Sequence, residues 1–152
     1  NLPVASYEID SLRRGTGILL GSQDIFRGSL WDNLTMGNEE IGTEEVSKLV
    51  KLTGLDQFVQ SCKDGYDTML QPVGNKLSGY VRKNILLIRA LLGSHRLLLL
   101  EEPFNHLSLH CSQSLIDYIK KEKRTTVLIA SEDSSLASLT DQVIVLNEGK
   151  TV

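Results

Sequence analysis

The sequence lacks an excess of positive charge and a long apolar run, and each absence excludes a class of function. It has 16 lysines and arginines against 19 aspartates and glutamates, a formal net charge of -3, so no basic surface favours binding to nucleic acid. Arg89 interrupts the apolar stretch 85–92, and Glu101 ends the leucine run that follows. No stretch therefore reaches the ~20 apolar residues of a membrane span, and any membrane segment belongs to another part of the protein or to a partner.

Cysteine is scarce, and signals of secretion or repetition are missing. No charged-then-apolar leader opens the chain, so we expect a reducing, cytoplasmic setting in which Cys62 and Cys111 are free thiols. There is no internal repeat and no low-complexity segment. The 152 residues and 41% hydrophobic content are enough for one modest domain with a core.

The order of the predicted elements is that of an α/β protein. Gly54 is a weak point in the first predicted helix, residues 61–76 read as a loop, and a turn at 147–149 leads to a last strand from Lys150 that forms a hairpin. We expect a helical region from about 22 to 95 beside a mainly parallel sheet in which Leu99 and Ile129 are buried. The predicted strands are 16–21, 97–101, 125–130 and 142–146, and the predicted helices are 44–60, 78–92 and 111–122.

Residues 77–103 (LSGYVRKNILLIRALLGSHRLLLLEEP) are the most informative segment, and it opens with a helix start. Ser78 is a residue type that caps a helix, and Gly79 after it leaves the first backbone N–H groups facing outward. These groups, at the positive end of the helix, are suited to a phosphate. Taken alone, the pattern also fits an ordinary helix cap.

The same segment closes with an acidic strand end. The four leucines at 97–100 suit a strand that is buried on both faces. Glu101 and Glu102 follow at its carboxyl end, which is where open α/β sheets bind ligands. Taken alone, the acidic pair also fits a solvated strand end.

Together, the helix start and the acidic strand end resemble the signature motif and Walker B strand of ATP-binding cassette (ABC) ATPases, which usually read LSGGQ and Asp-Glu-Pro. The resemblance covers nearly the whole chain from Ser11 onward, and Gln23 matches the Q-loop glutamine. Residues 65–68 (GYDT) are typical of exporter-type cassettes rather than of ABC proteins in DNA repair. The resemblance implies a partial P-loop NTPase-like core with an inserted helical subdomain: 22–95 would be the helical part, and 1–21 and 96–152 the core.

The resemblance also implies roles for individual residues and two cofactors, ATP and magnesium. Glu102 matches the general base that activates water. Ser78, Gly79 and Gln23 match nucleotide-binding positions, and Gln23 and Glu101 match positions near the magnesium ion.

Several family positions are substituted here. Tyr80 stands where the second signature glycine lets the backbone approach the γ-phosphate, so we expect obstruction there. Glu101 replaces an aspartate at a position where magnesium geometry is demanding. Residues 105–108 (NHLS) lack the D-loop aspartate, and Glu132 stands at the position of the switch histidine, where a carboxylate repels phosphate.

A P-loop is also missing from this chain. Gly149-Lys150-Thr151 resembles the end of a P-loop, but that motif requires a glycine five residues before Gly149, and Ile144 stands there. By resemblance, the chain corresponds to the C-terminal portion of a cassette and lacks the N-terminal strands that normally complete the family's core. We therefore expect apolar surface to be uncovered and the isolated chain to be inactive.

Two functions stay open at this point. The first is a degenerate or weakly hydrolytic part of the ATP-binding domain of an ABC exporter, paired with a second nucleotide-binding domain and a transmembrane domain at the cytoplasmic face of the membrane. Glu102 favours it. The second is a non-enzymatic interaction module that keeps the cassette surface for docking a membrane domain or partner subunit, and Tyr80 and Glu132 favour that one.

Overall fold

The computed structural model describes residues 3, 6–72, 77–121 and 124–152. Within these residues the α-helices are α1 (Ile9–Arg14), α2 (Leu30–Thr35), α3 (Thr43–Thr53), α4 (Asp56–Ser61), α5 (Gly79–Leu91) and α6 (Leu109–Lys121). The strands are β1 (Thr16–Leu19), β2 (Gly28–Ser29), β3 (Met69–Leu70), β4 (Leu97–Glu101), β5 (Thr126–Ala130), β6 (Leu146–Asn147) and β7 (Lys150–Thr151). The fold is α/β, as predicted.

A parallel sheet in the order β1-β4-β5 forms the core of the fold. Gly17 lets α5 pack closely on β1, because a Cβ at this position would overlap the carbonyl oxygen of Ala90. Three of the four predicted parallel strands are confirmed: β4 has its predicted ends, β1 ends two residues earlier than predicted, and β5 begins one residue later. All three strands direct their carboxyl ends to the same edge, which is where the acidic pair lies.

The fourth predicted strand, 142–146, is wrong. Within the described residues, 142–145 pair with no strand, and Val143 and Ile144 are exposed by 56% and 68%. Leu146 instead begins the antiparallel β6–β7 pair, which confirms the predicted hairpin. An apolar, β-branched run becomes a strand only where a neighbouring strand accepts its hydrogen bonds, and β5 offers 142–145 no such pairing.

The prediction that the sheet is buried on both faces is also wrong. Leu98 and Leu100 face the helices and are buried, whereas Leu99 and Ile129 are only half-buried. In the strand register, Leu99 lies between Ile18 and Leu128, so the three side chains share one face of the sheet. Ile18 and Leu128 are 39% and 58% exposed. Helices cover one face of this sheet and leave the other open, so the expected uncovered apolar surface is present.

The helices between β1 and β4 share one core. The predicted helix 44–60 is two helices, because Gly54 adopts a φ of +76° and its N–H closes on the carbonyls of Val50 and Lys51, which ends α3. The predicted helix 78–92 is α5 with its bounds one residue inside. The predicted helix 111–122 is α6, which begins two residues earlier, and residue 122 lies outside the described residues. The core that the helices between β1 and β4 share includes the fully buried residues Leu30, Leu34, Val46, Leu49, Ile85 and Ile88.

Two short elements occupy segments that the sequence pattern leaves irregular. The six-residue α2 begins with a capping box, in which the Ser29 side chain accepts from the Asp32 N–H and the Asp32 carboxylate accepts from the Ser29 N–H. Arg89 of α5 then donates to the Asn33 carbonyl at 2.8 Å and fixes α2 against α5. Within the predicted loop 61–76, β3 pairs with β2; residues 73–76 of that loop lie outside the described residues.

Candidate functional site

The start of α5 is open toward solvent. Ser78 caps the helix by accepting from the Val81 N–H at 3.2 Å, and its carbonyl accepts from the Arg82 N–H at 3.1 Å. The first turn contains no acidic residue, and a Cβ built on Gly79 meets nothing within 4 Å. In the described part of the chain, no acceptor binds the N–H groups of Gly79 and Tyr80. This end of the helix is therefore electrostatically and sterically suited to an anion.

Tyr80, next to this opening, is held against the protein. Its hydroxyl donates to the carbonyl of Thr53, the last residue of α3, at 3.0 Å. Its ring meets the His106 ring edge-on, with 6.2 Å between the centroids. The tyrosine side chain is thus directed toward α3 and toward the turn that follows β4.

The carboxyl end of β4 brings Glu101 beside the loop after β1. The Glu101 Oε2 accepts from the Gly21 N–H at 2.8 Å. Gln23 holds the same loop, since its Oε1 accepts from the Leu20 N–H at 3.0 Å and its Nε2 donates to the Ile18 carbonyl at 3.3 Å. The structure therefore places Glu101, at the end of β4, against the loop that carries Gln23, and both residues have side-chain oxygens of the kind that magnesium prefers.

Glu102 is bound by the loop after β5. Its two carboxylate oxygens accept from the Ser131 hydroxyl and from the Glu132 N–H, each at 2.7 Å. The pKa of Glu102 is below its usual value. The hydrogen bond from Ser131 is the largest cause, the hydrogen bond from the Glu132 N–H is the next, and Asn105 adds to the shift. Glu102 also adopts a φ of +44°, a left-handed conformation that is uncommon for a non-glycine residue and clusters at functional sites.

The switch position, Glu132, therefore lies beside the acidic strand end. Its N–H binds Glu102, its side chain is exposed, and Asp133 follows it in the chain. Carboxylates are concentrated where the sequence predicts a reacting phosphate. Like charges at short range repel by roughly 1 to 4 kcal/mol at 4 Å, depending on how much water screens them.

His106 connects the two ends of the site. Its Nε2 lies 3.1 Å from the side-chain oxygen of the fully buried Asn84, and the two form a hydrogen bond in the tautomer that carries the proton on Nε2. Burial, and then the nearby charge of Lys83, lowers the pKa of His106 to about 4. At neutral pH the ring is uncharged, and its contacts with Tyr80 and Asn84 join the turn after β4 to the first turns of α5.

Sequence reasoning misses four residues that hold this arrangement. Ser131 binds Glu102, Asn105 adds to the lowering of the pKa of Glu102, Asn84 binds His106, and Thr53 binds Tyr80. Ser131 could have been found, because it directly follows a predicted strand at the edge where ligands bind. Thr53 contributes a backbone carbonyl from a distant helix, and no sequence signal marks it.

Two features are absent from the part of the chain that the structure describes. No helix there combines the length and apolarity that crossing a bilayer needs. No group of three or more histidine, cysteine, aspartate or glutamate side chains is placed to hold a metal ion.

Comparison with known proteins gives a consistent result, although no protein-family model matches the chain. The heterocyst differentiation ATP-binding protein of a Nostoc species is 32% identical over 99% of the chain and 25% of its own length. The mitochondrial iron-sulfur clusters transporter of Saccharomyces cerevisiae is 28% identical over 97% of the chain and 22% of its own length.

A solved structure agrees with these relatives. A bacterial Atm1-family ABC exporter with ATP bound superposes on 98% of the chain with a TM-score of 0.81 and 26% identity, and 26% of that exporter's chain is covered. The fold is consistent with part of a P-loop NTPase-like core. The chain spans about a quarter of the length of these proteins. Along most of its length and by its fold, the chain is homologous to ABC exporter ATP-binding proteins.

Proposed function

We propose that the chain forms part of the ATP-binding and ATP-hydrolysing domain of an ABC exporter and supplies a degenerate, weakly hydrolytic site. One observation carries the proposal: contacts connect the open start of α5 to the acidic end of β4. Tyr80 and Asn84 contact His106 in the turn after β4, where Phe104 is buried and Asn105 lowers the pKa of Glu102. The loop after β5 binds Glu102. The two ends are thus held by one set of contacts, and each would contribute to a different composite site with a second nucleotide-binding domain.

Each end of the site has a role in this proposal. The N–H groups at the start of α5, behind Ser78 and Gly79, bind a phosphate of ATP held by a second nucleotide-binding domain. Glu102 is ionised and oriented by two hydrogen bonds, so it accepts a proton from the attacking water. Gln23 and Glu101 would hold the magnesium ion, which neutralises phosphate charge when bound.

Weak hydrolysis follows from the substituted positions. Glu132 brings a carboxylate to the place where the family has a donor, and its backbone is fixed beside Glu102 by a 2.7 Å hydrogen bond. Negative charge near a transferring phosphoryl group opposes the reaction, because that group already carries charge on its oxygens. Ser108 offers no carboxylate at the D-loop position.

The relatives extend the proposal to the whole protein. Their names describe ATP-binding and transporter proteins, and the similar structure is an exporter with ATP bound. We therefore assign to the protein that contains this chain a second nucleotide-binding domain, a transmembrane domain and a place at the cytoplasmic face of a membrane. Residues 22–95 would be its helical subdomain, and residues 1–21 and 96–152 would be part of the ATPase core.

Binding and turnover of ATP by the intact protein test this function. We expect magnesium-dependent ATP binding with turnover slower than about 1 per second, the lower end of ordinary enzymes. ATP binding without any turnover would mean that the degenerate site binds ATP but does not hydrolyse it.

The alternative is a non-enzymatic module that docks a membrane domain or partner subunit. The carboxylate of Glu132 beside Glu102 is the observation that favours it, since this charge disfavours a bound triphosphate. Absence of magnesium-dependent ATP binding in the intact, folded protein, with association to the membrane domain retained, would favour this alternative over the first function.

A further inference from the structure

Tyr80 stands at a substituted position, and its side chain contacts two other parts of the fold, the end of α3 and the turn after β4. We propose that Tyr80 is a positioning residue that fixes the start of α5 and leaves the approach to that helix start open. The inference rests on the proposed function, in which this helix start binds a phosphate. It replaces the expectation that the tyrosine obstructs the phosphate, because the side chain is bound elsewhere.

The hydroxyl of Tyr80 has a prepared partner. The carbonyl of Thr53 belongs to the last turn of α3, where backbone acceptors lack partners within the helix, and Tyr80 donates to it at 3.0 Å. The next residue is Gly54, and a Cβ there would lie 2.8 Å from the Tyr80 hydroxyl oxygen. A glycine at position 54 thus both ends α3 and leaves space for the tyrosine.

The ring of Tyr80 has a second partner across the site. It packs edge-on against His106, whose proton-bearing Nε2 is bound to the buried Asn84 of α5. Tyr80 therefore joins α5 to α3 and to the turn after β4, and a glycine at position 80 could make neither contact.

Positioning and obstruction predict opposite effects of one substitution. If Tyr80 obstructs the phosphate, Tyr80→Gly opens the site and strengthens ATP binding. If Tyr80 positions the helix start, Tyr80→Gly weakens ATP binding, because the first turn loses two contacts and gains the backbone freedom of glycine.

Hydrogen exchange in the intact protein tests the positioning without ATP. The reporters are the amides of Val81 and Arg82, which donate to Ser78 in the first turn of α5. We expect Tyr80→Phe to raise their exchange rates about fivefold, the equivalent of one hydrogen bond, and Tyr80→Gly to raise them further. Tyr7→Phe is the matched control, since Tyr7 is 50% exposed, and it should leave both rates unchanged. Unchanged rates in Tyr80→Gly would overturn the inference.

ATP affinity of the same intact variants provides the second readout. We expect Tyr80→Gly to weaken ATP binding by about tenfold and Tyr80→Phe, which keeps the ring, to weaken it less. Tighter binding by Tyr80→Gly would show obstruction and overturn the inference. If the wild-type protein binds no ATP, the proposed function fails, and the exchange rates still decide whether Tyr80 fixes the helix start.

Discussion

The start of α5 and the end of β4 both depart from the family pattern, but the structure accommodates the two departures differently. At α5, Tyr80 gains a hydrogen bond and a ring contact, and the first turn stays free of acidic residues. At β4, Glu132 adds a carboxylate beside Glu102, and no cation pairs with either one among the described residues. A bulky side chain can be turned aside by packing, whereas a charge acts at a distance on the ligand itself. The comparison predicts that the end of β4, and not the start of α5, limits the chemistry.

The largest expected effect follows from removing the carboxylate of Glu102, the proposed general base. Glu102→Gln should lower ATP turnover by the intact protein by about 100-fold and leave ATP binding in place, because it removes a proton acceptor that contributes roughly 10² to 10⁴. Steady-state hydrolysis and equilibrium binding measure the two quantities. Glu148→Gln in the exposed hairpin turn is the matched control. Turnover that survives Glu102→Gln would remove Glu102 from the mechanism.

Replacing the charge at the switch position should raise turnover. Glu132→His exchanges a repelling carboxylate for a donor, and we expect a gain on the order of tenfold, since one donor to a developing charge contributes roughly 10² to 10³ in an optimised site. Glu132→Gln separates the two causes, because it removes the charge without supplying an imidazole. An equal gain in both variants would assign the whole effect to repulsion.

The histidine that connects the two ends makes the stability of the protein depend on pH. The pKa of His106 is lowered from 6.5 to about 4, so the unfolded state binds a proton first as the pH falls. Stability should therefore decrease from pH 6.5 toward pH 4. Denaturant unfolding at several pH values measures this slope, and His106→Gln should reduce it. The lowered pKa of Glu102 also reduces stability, but at lower pH, where its carboxylate becomes protonated and loses its two hydrogen bonds. A slope in His106→Gln equal to that of wild type would contradict the assignment.

Loss of the helix cap should have the smallest effect. Ser78→Ala removes the acceptor for the Val81 N–H and should lower the free energy of unfolding by about 1 kcal/mol. The urea midpoint measures this change. Ser94→Ala, at an exposed loop position, should leave the midpoint nearly unchanged. If the two variants lose equal stability, Ser78 contributes nothing specific as a cap.

The sequence predicts local features of the site well because they depend on neighbouring residues. Ser78 caps its own helix, and Glu102 follows its own strand, as spacing indicates. Residues 142–146 have strand-like composition, yet pairing with a neighbour decides whether they form a strand, and composition does not specify that neighbour.

Features that depend on distant residues could not be predicted. The partner of Tyr80 is a carbonyl 27 residues earlier in the chain. From the sequence alone, a tyrosine in place of a glycine indicates only a larger side chain. The hydrogen bond that directs this side chain toward α3 is seen only in the folded structure. The capping box of α2 was visible in Ser29 and Asp32, but a helix of six residues has almost no periodicity to mark it.

ATP hydrolysis by the intact protein, measured side by side for wild type, Tyr80→Gly and Glu132→His, tests the central claim most directly. The account predicts a faster rate than wild type for Glu132→His, because the end of β4 limits the chemistry, and a slower rate for Tyr80→Gly, because the start of α5 loses its support. A faster rate for Tyr80→Gly with no change for Glu132→His would contradict the account.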